Sequence, residues 1–192
     1  MGRIVVTEFV SLDGVMEDPG GAEGFVHAGW TFRFNRGDEG DQFKLEELEG
    51  SEAQLLGRVT YEAFAAAWPA MEDPVGFAGN MNAMPKYVVS TTMRDEDATW
   101  NNSTVIRGDV VGGIAALKEK LQGDLLVAGS ARLVQTLLEH RLVDELRLMV
   151  FPIVLGTGKR LFGEVSEPPA LVLDSVKTVG EGIVILVYRA GE

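Results

Sequence analysis

The run from Asp124 to Phe162, DLLVAGSARLVQTLLEHRLVDELRLMVFPIVLGTGKRLF, constrains this chain more than any other, because it changes structural type three times with almost no connecting residues. Leu125-Leu126-Val127-Ala128 is a short unbroken apolar run and predicts a buried strand. Gly129-Ser130 breaks it, after which Leu133, Val134, Leu137 and Leu138 share one helical face. Ser130 is the expected N-cap, and His140 with Arg141 closes the helix with positive charge. A second apolar run, Glu145 to Val150, leads through Pro152 into Leu155-Gly156-Thr157-Gly158. The unit is strand, glycine turn, helix, strand, glycine loop. A glycine ahead of a helix N-terminus lets backbone N–H groups approach an anion, typically a phosphate. Taken alone, Gly129 reads first as a sharp turn.

The rest of the chain repeats this grammar. Arg3 to Val10 is rich in β-branched residues and predicts the strand that starts the sheet. Ser11-Leu12-Asp13-Gly14 ends it, and Glu17 to Gly24 is a loop of glycines and acids. Asp38 to Gly50 predicts a helix carrying Phe43, Leu45 and Leu48, with Glu46, Glu47 and Glu49 expected to be solvated. Ala53 to Leu56 is a short strand, and Gly57-Arg58-Val59-Thr60 again opens a helix, which Trp68-Pro69 ends. A loop is expected from there to Met84. Lys86 to Val89 and Val105-Ile106 are strands, and Val111 to Leu121 is a helix. Ala170 to Val176 and Ile183 to Tyr188, joined by Gly180-Glu181-Gly182, predict a terminal hairpin. The order predicts an α/β fold: a mainly parallel central sheet, an antiparallel C-terminal hairpin edge, and helices on both faces. Residues 1–192 are expected to form one domain.

Composition removes several functions. No cysteine is present, which excludes disulfides and thiolate metal sites. His27 and His140 lack ligand spacing, so no metal is expected. A net charge of -12 argues against nucleic acid or an anionic membrane as partner. The N-terminal apolar run is too short for a secretion signal, and no stretch is long enough to span a bilayer, so a soluble cytoplasmic protein is expected.

Three predicted strand ends carry phosphate chemistry: Gly57-Arg58, Ser90-Thr91-Thr92 with Arg94 beyond, and Gly129-Ser130. In an open α/β sheet, ligands sit outside the carboxyl ends of strands, where these turns converge. Two helix N-termini suit a pyrophosphate, and an arginine at one of them adds a guanidinium fork. An acid after the third strand would select a ribose 2′-hydroxyl, whereas Ser90-Thr91-Thr92 favours a 2′-phosphate, hence NADPH over NADH. Other nucleotide motifs fail. Gly156-Thr157-Gly158 has Leu161 where a third glycine belongs, and Gly158-Lys159 is followed by Arg160 rather than Ser or Thr.

Ser11-Leu12-Asp13-Gly14-Val15, Leu55 through Glu62, Lys86 through Thr91 and Ala128 through Leu146 together resemble the dihydrofolate reductase-like superfamily, as does the loop from Pro152 to Phe162. Within that superfamily the chain is most similar to stand-alone relatives of the reductase domain at the C-terminus of the bifunctional riboflavin-biosynthesis deaminase-reductase. The resemblance covers nearly the whole chain. It implies a three-layer reductase fold, NADPH as cofactor, a small-molecule substrate and often a homodimer. It also implies that Gly57, Arg58 and Thr60 meet the cofactor phosphates, and Ser90 and Thr91 the adenosine 2′-phosphate. Gly129, Ser130, Ala131 and Arg132 would lie along the pyrophosphate and nicotinamide ribose, with Phe9 to Ser11 flanking the nicotinamide. Asp13, Met16, Trp30, Pro152, Ile153 and Val154 would border the substrate.

Two departures sharpen the expectation. Riboflavin-pathway reductases resemble Glu-Gly-Gly where this chain has Ala128-Gly129-Ser130, so an acid at the nicotinamide end is missing. Their arginine-containing, hydroxyl-rich substrate segment is not recognisable after Gly24, where Trp30, Phe32 and Phe34 imply a flatter, less phosphorylated substrate. Dihydrofolate reductases carry an acid on the first helix, and counting back from Gly57 brings Asp41 to that position. The catalytic candidates are thus Asp13 and Asp41, either one ordering a water that delivers the proton. Three functions stand: an NADPH-dependent reductase of a heterocyclic or carbonyl substrate; a 5-amino-6-(5-phosphoribosylamino)uracil reductase; and a non-catalytic, dimeric nucleotide-binding protein.

Overall fold

A computed structural model describes residues 1–164 and 167–191. Strand β1 (Arg3–Ser11) is followed by α1 (Gly37–Glu49), β2 (Ser51–Gly57) and α2 (Arg58–Ala67). Next come α3 (Phe77–Ala83), β3 (Lys86–Val89), β4 (Ser103–Ile106) and α4 (Val110–Lys120). Strand β5 (Asp124–Ala128), α5 (Ala131–Glu139) and β6 (Glu145–Phe151) lead to the hairpin β7 (Leu171–Val179) and β8 (Ile183–Ala190). All eight strands form one sheet, in the order β4-β3-β2-β5-β1-β6-β8-β7. The six strands from β4 to β6 run parallel, and β8 and β7 add antiparallel to β6. This is the mainly parallel sheet with an antiparallel C-terminal edge that the element order predicts.

The central strands read as continuous apolar runs because both faces are covered. On one face Ile4, Val6, Ala53, Leu55, Leu125 and Val127 meet Ile114 of α4 and Leu133, Val134 and Leu137 of α5. On the other, Val5, Leu56, Val88 and Leu126 meet Leu48 of α1, Tyr61 of α2 and Met81 of α3. Farther along that face, Phe151, Ile185 and Val187 pack with Trp30, Phe9 and Phe43. Period-two alternation then places Glu8, between Val6 and Val10, on the α5 side of the sheet.

Three expectations need correction. The segment before Met84 is not all loop, because Phe77–Ala83 is helical. The Asp73 carboxylate accepts the amides of Phe77 and Ala78, supplying the helix start, and Met81 anchors it in the core. Ser130 does not cap α5 with its side chain; it sits in the left-handed region at φ 63. Glu47 is not solvated: at 3% exposure it is buried against β1. Thr7 donates its hydroxyl to Glu47, Lys44 donates to Thr7, and Lys44 and Arg147 face the same carboxylate. Among the described residues no helix is long and apolar enough to cross a membrane, and no acid or histidine group is arranged to hold a metal.

Candidate functional site

Because β3, β2, β5 and β1 are parallel neighbours, their carboxyl ends lie in a row along one edge of the sheet. Val89, Gly57, Ala128 and Ser11 end those strands, so the three sequence-predicted turns are adjacent, in the order Ser90-Thr91, Gly57-Arg58, Gly129-Ser130.

Two of the turns are interlocked. The Gly57 amide donates to Ser130 Oγ at 2.9 Å, and the Ser130 amide donates to Thr60 Oγ1 at 2.9 Å. The Ser130 hydroxyl is thus spent on the neighbouring turn instead of on its own helix, which is why it fails to cap. Gly129 has φ 61, and a Cβ there would lie 2.9 Å from both Thr60 Oγ1 and Cγ2. Only glycine combines that conformation with that approach. The clasp sets the N-termini of α2 and α5 side by side, each with first-turn amides that have no partner within the helix. A pyrophosphate is the ligand such a pair suits, through the two dipoles and the free amides.

Beneath this clasp lies a residue that the motif reading passed over. Glu8 is 4% exposed, and its Oε2 accepts the Gly129 amide at 3.1 Å. Its Oε1 is buried with no hydrogen-bond partner among the described residues. Burial pushes the Glu8 carboxyl well above the usual carboxylate range; the Gly129 amide and Lys44 oppose this, while Glu47 adds to it. Position 128 is an alanine, and an acid from the neighbouring strand reaches the same turn. Its signal in the sequence is a glutamate at an inward position of a two-residue alternation, Val6-Glu8-Val10.

The cations sit at the rim. Arg58 is half-exposed at the start of α2 and pairs with Glu62 at 3.2 Å, and Arg132 is exposed at the start of α5, next to Ala131. Thr91 is exposed at the end of β3, whereas Ser90 is buried and its hydroxyl accepts the amides of Thr92 and Met93. Arg94 turns away to Asp97 and Glu96.

At the β1 end the picture changes. Ser11 is buried; its hydroxyl accepts the Val15 amide and donates to Asp13. Asp13 in turn accepts the amides of Leu155 and Gly156, tying the end of β1 to the glycine loop. The Ser11 hydroxyl and those two amides, partly offset by desolvation, hold the Asp13 carboxyl down at about 2. A carboxylate so held carries no proton of its own near neutral pH, and in the fold it acts as a clasp between the end of β1 and the glycine loop. Trp30 is fully buried, its indole N–H donating to the Glu17 carbonyl and its ring edge-on to Phe151; it belongs to the core, and Met16 is buried as well. Ile153 is half-buried, and Pro152 and Val154 are exposed. Phe9 is half-buried under Arg36 and Lys44, 5.5 and 5.1 Å from its ring centre. Asp41 points to solvent and pairs with Arg36, while the buried acid of α1 is Glu47. Glu47 reads as solvated in the sequence because it lies among three acids that all read as wet.

Comparison with known proteins bears on the family and the fold. The family model of the RibD C-terminal domain matches residues 3–185. The protein YyaP of Bacillus subtilis is 29% identical over 190 residues, covering 97% of this chain and 94% of its own. A protein assigned to riboflavin biosynthesis from Shewanella sp. PV-4 superposes with a TM-score of 0.80 at 22% identity, covering 99% of both chains. A dihydrofolate reductase from Enterococcus faecalis, complexed with NADP(H), superposes with a TM-score of 0.58 at 16% identity, covering 99% of this chain and 97% of its own. The fold is dihydrofolate reductase-like.

Proposed function

The chain belongs to the RibD C-terminal domain family, and from that premise we propose that it is an NADPH-dependent reductase that passes hydride to a small heterocyclic or carbonyl substrate. The observation that carries this reading is the clasp of Gly57, Thr60, Gly129 and Ser130, which joins two helix N-termini beside the hydroxyls of Ser90-Thr91. The amides of α2 and α5 would hold the pyrophosphate, Arg58 and Arg132 would supply charge, and Thr91 would face the 2′-phosphate. When bound, the nicotinamide supplies hydride from its C4. The chain's part is to orient that ring along β1 near Phe9, exclude water and fix the substrate against it. NADPH and NADH titrations followed by nicotinamide fluorescence test the reading. Tight binding of NADPH alone is expected, and binding of neither overturns it.

A second reading, reduction of 5-amino-6-(5-phosphoribosylamino)uracil, draws support from Arg36 and Lys44 flanking Phe9, a cationic pair beside the expected nicotinamide position. Turnover of that phosphorylated substrate, with a KM that rises in Arg36→Ala, is its signature. We also propose a cytoplasmic homodimer. The edge strand β7 carries Val172, Leu173 and Val176 exposed, a surface that a second copy would cover.

A further inference from the structure

Glu8 has no part in the reading above, yet it is the buried acid closest to the turn on which that reading stands. On its face of the sheet it is flanked by Val6 and Val10 and lies opposite Leu148 of β6, in the cluster that includes Val134 of α5 and Leu161. None of these side chains offers an acceptor. The charged groups acting on it are Lys44 and Glu47 of α1, which act from across the sheet and already pair with each other. Since Oε2 accepts the Gly129 amide, the proton of a neutral Glu8 resides on Oε1, which has no acceptor among the described residues. A buried donor without an acceptor is a standing cost that a ligand oxygen at that point would remove.

The row of strand ends identifies which part of a dinucleotide lies there. Ser90-Thr91 follows β3, the interlocked turns follow β2 and β5, and Glu8 hangs between β5 and β1 at the opposite end from the 2′-phosphate hydroxyls. We propose that Glu8 reads the nicotinamide-ribose half of the cofactor, its Oε1 hydroxyl donating to an oxygen of that half seated at the Gly129-Ser130 turn. This rests on the NADPH reading of the same site. A water bound under the turn is the competing acceptor, and cofactor fragments separate the two.

The test titrates wild type, Glu8→Gln and Glu8→Met with NADPH, reduced nicotinamide mononucleotide and 2′,5′-ADP, with thermal unfolding of each variant as control. Glu8→Gln keeps both a donor and an acceptor, so its affinities should stay within about threefold of wild type. Glu8→Met has similar bulk and neither group; NADPH and the mononucleotide should each weaken by about tenfold or more, while 2′,5′-ADP holds. Equal weakening for both halves, no weakening, or a Gln variant as poor as Met overturns the assignment. If Glu8→Met does not fold, infrared difference spectra of wild type carry the same test. The mononucleotide should shift a protonated-carboxyl band that Glu8→Gln lacks, and 2′,5′-ADP should not; an unmoved band overturns the proposal. A wild-type protein that binds neither NADPH nor its fragments rejects the reductase reading itself, an outcome distinct from any of these.

Discussion

Gly129 concentrates two demands in one residue, a left-handed backbone and a contact with Thr60 too close for a Cβ. Gly129→Ala should therefore destabilise the protein by about 1–2 kcal/mol in urea unfolding, from the backbone term alone, and abolish NADPH binding. Arg58 makes the opposite case. Its ion pair with Glu62 is exposed and contributes little to stability, so Arg58→Ala should leave the unfolding midpoint in place. NADPH affinity in that variant should fall by about 1.5–3 kcal/mol, the scale of a charge-assisted hydrogen bond. Unchanged affinity would remove Arg58 from the phosphate site.

Between elements, the Asp13 clasp from the end of β1 to the glycine loop has a pH signature. The Asp13 carboxyl is held at about 2 in the folded chain, below an aspartate's ordinary 3.8, so the unfolded chain binds more protons between those values. The clasp's stabilisation is present above about pH 4 and is lost as pH falls towards 2. Asp13→Asn should be less stable than wild type at pH 7 by about 1 kcal/mol, allowing for solvent screening, and the gap should close across that acid window in chemical unfolding. The glycine turns were legible in the sequence because their chemistry is local: a strand ends, a glycine turns, a helix begins within a few residues. The clasp between them was not, since Ser130 meets Gly57 and Thr60 across some seventy positions. Helix α3 was hidden for a related reason, its start being fixed by Asp73 outside the helix. Glu8 and Glu47 escaped notice because an acid reads as surface until its partners, brought by other strands and helices, are known.

For the molecule as a whole, the surface that matters is β7, one of the two edge strands of the sheet. Exposed Val172, Leu173 and Val176 on such an edge invite pairing, and closed two-fold dimers are the common solution. Sedimentation should report a dimer for wild type and a monomer for the Val172→Glu, Val176→Glu double variant, with NADPH binding retained in both. A monomeric wild type would leave β7 as a solvated edge.

The strand order also has a consequence in time. Strand β1 lies between β5 and β6, so both of its strand partners are made late; Arg3 and its partner Asp124 are 121 residues apart. At a synthesis rate of 5–20 residues per second, β1 waits roughly 6–24 s on the ribosome before either of its partner strands begins to exist. Strands β2, β3 and β4 can meet during that interval, but Gly57 and Thr60 have no Ser130 to hold. The ligand site is thus among the last parts of the protein to come into being, and a chain interrupted before β5 would emerge with half a sheet and no place for a nucleotide.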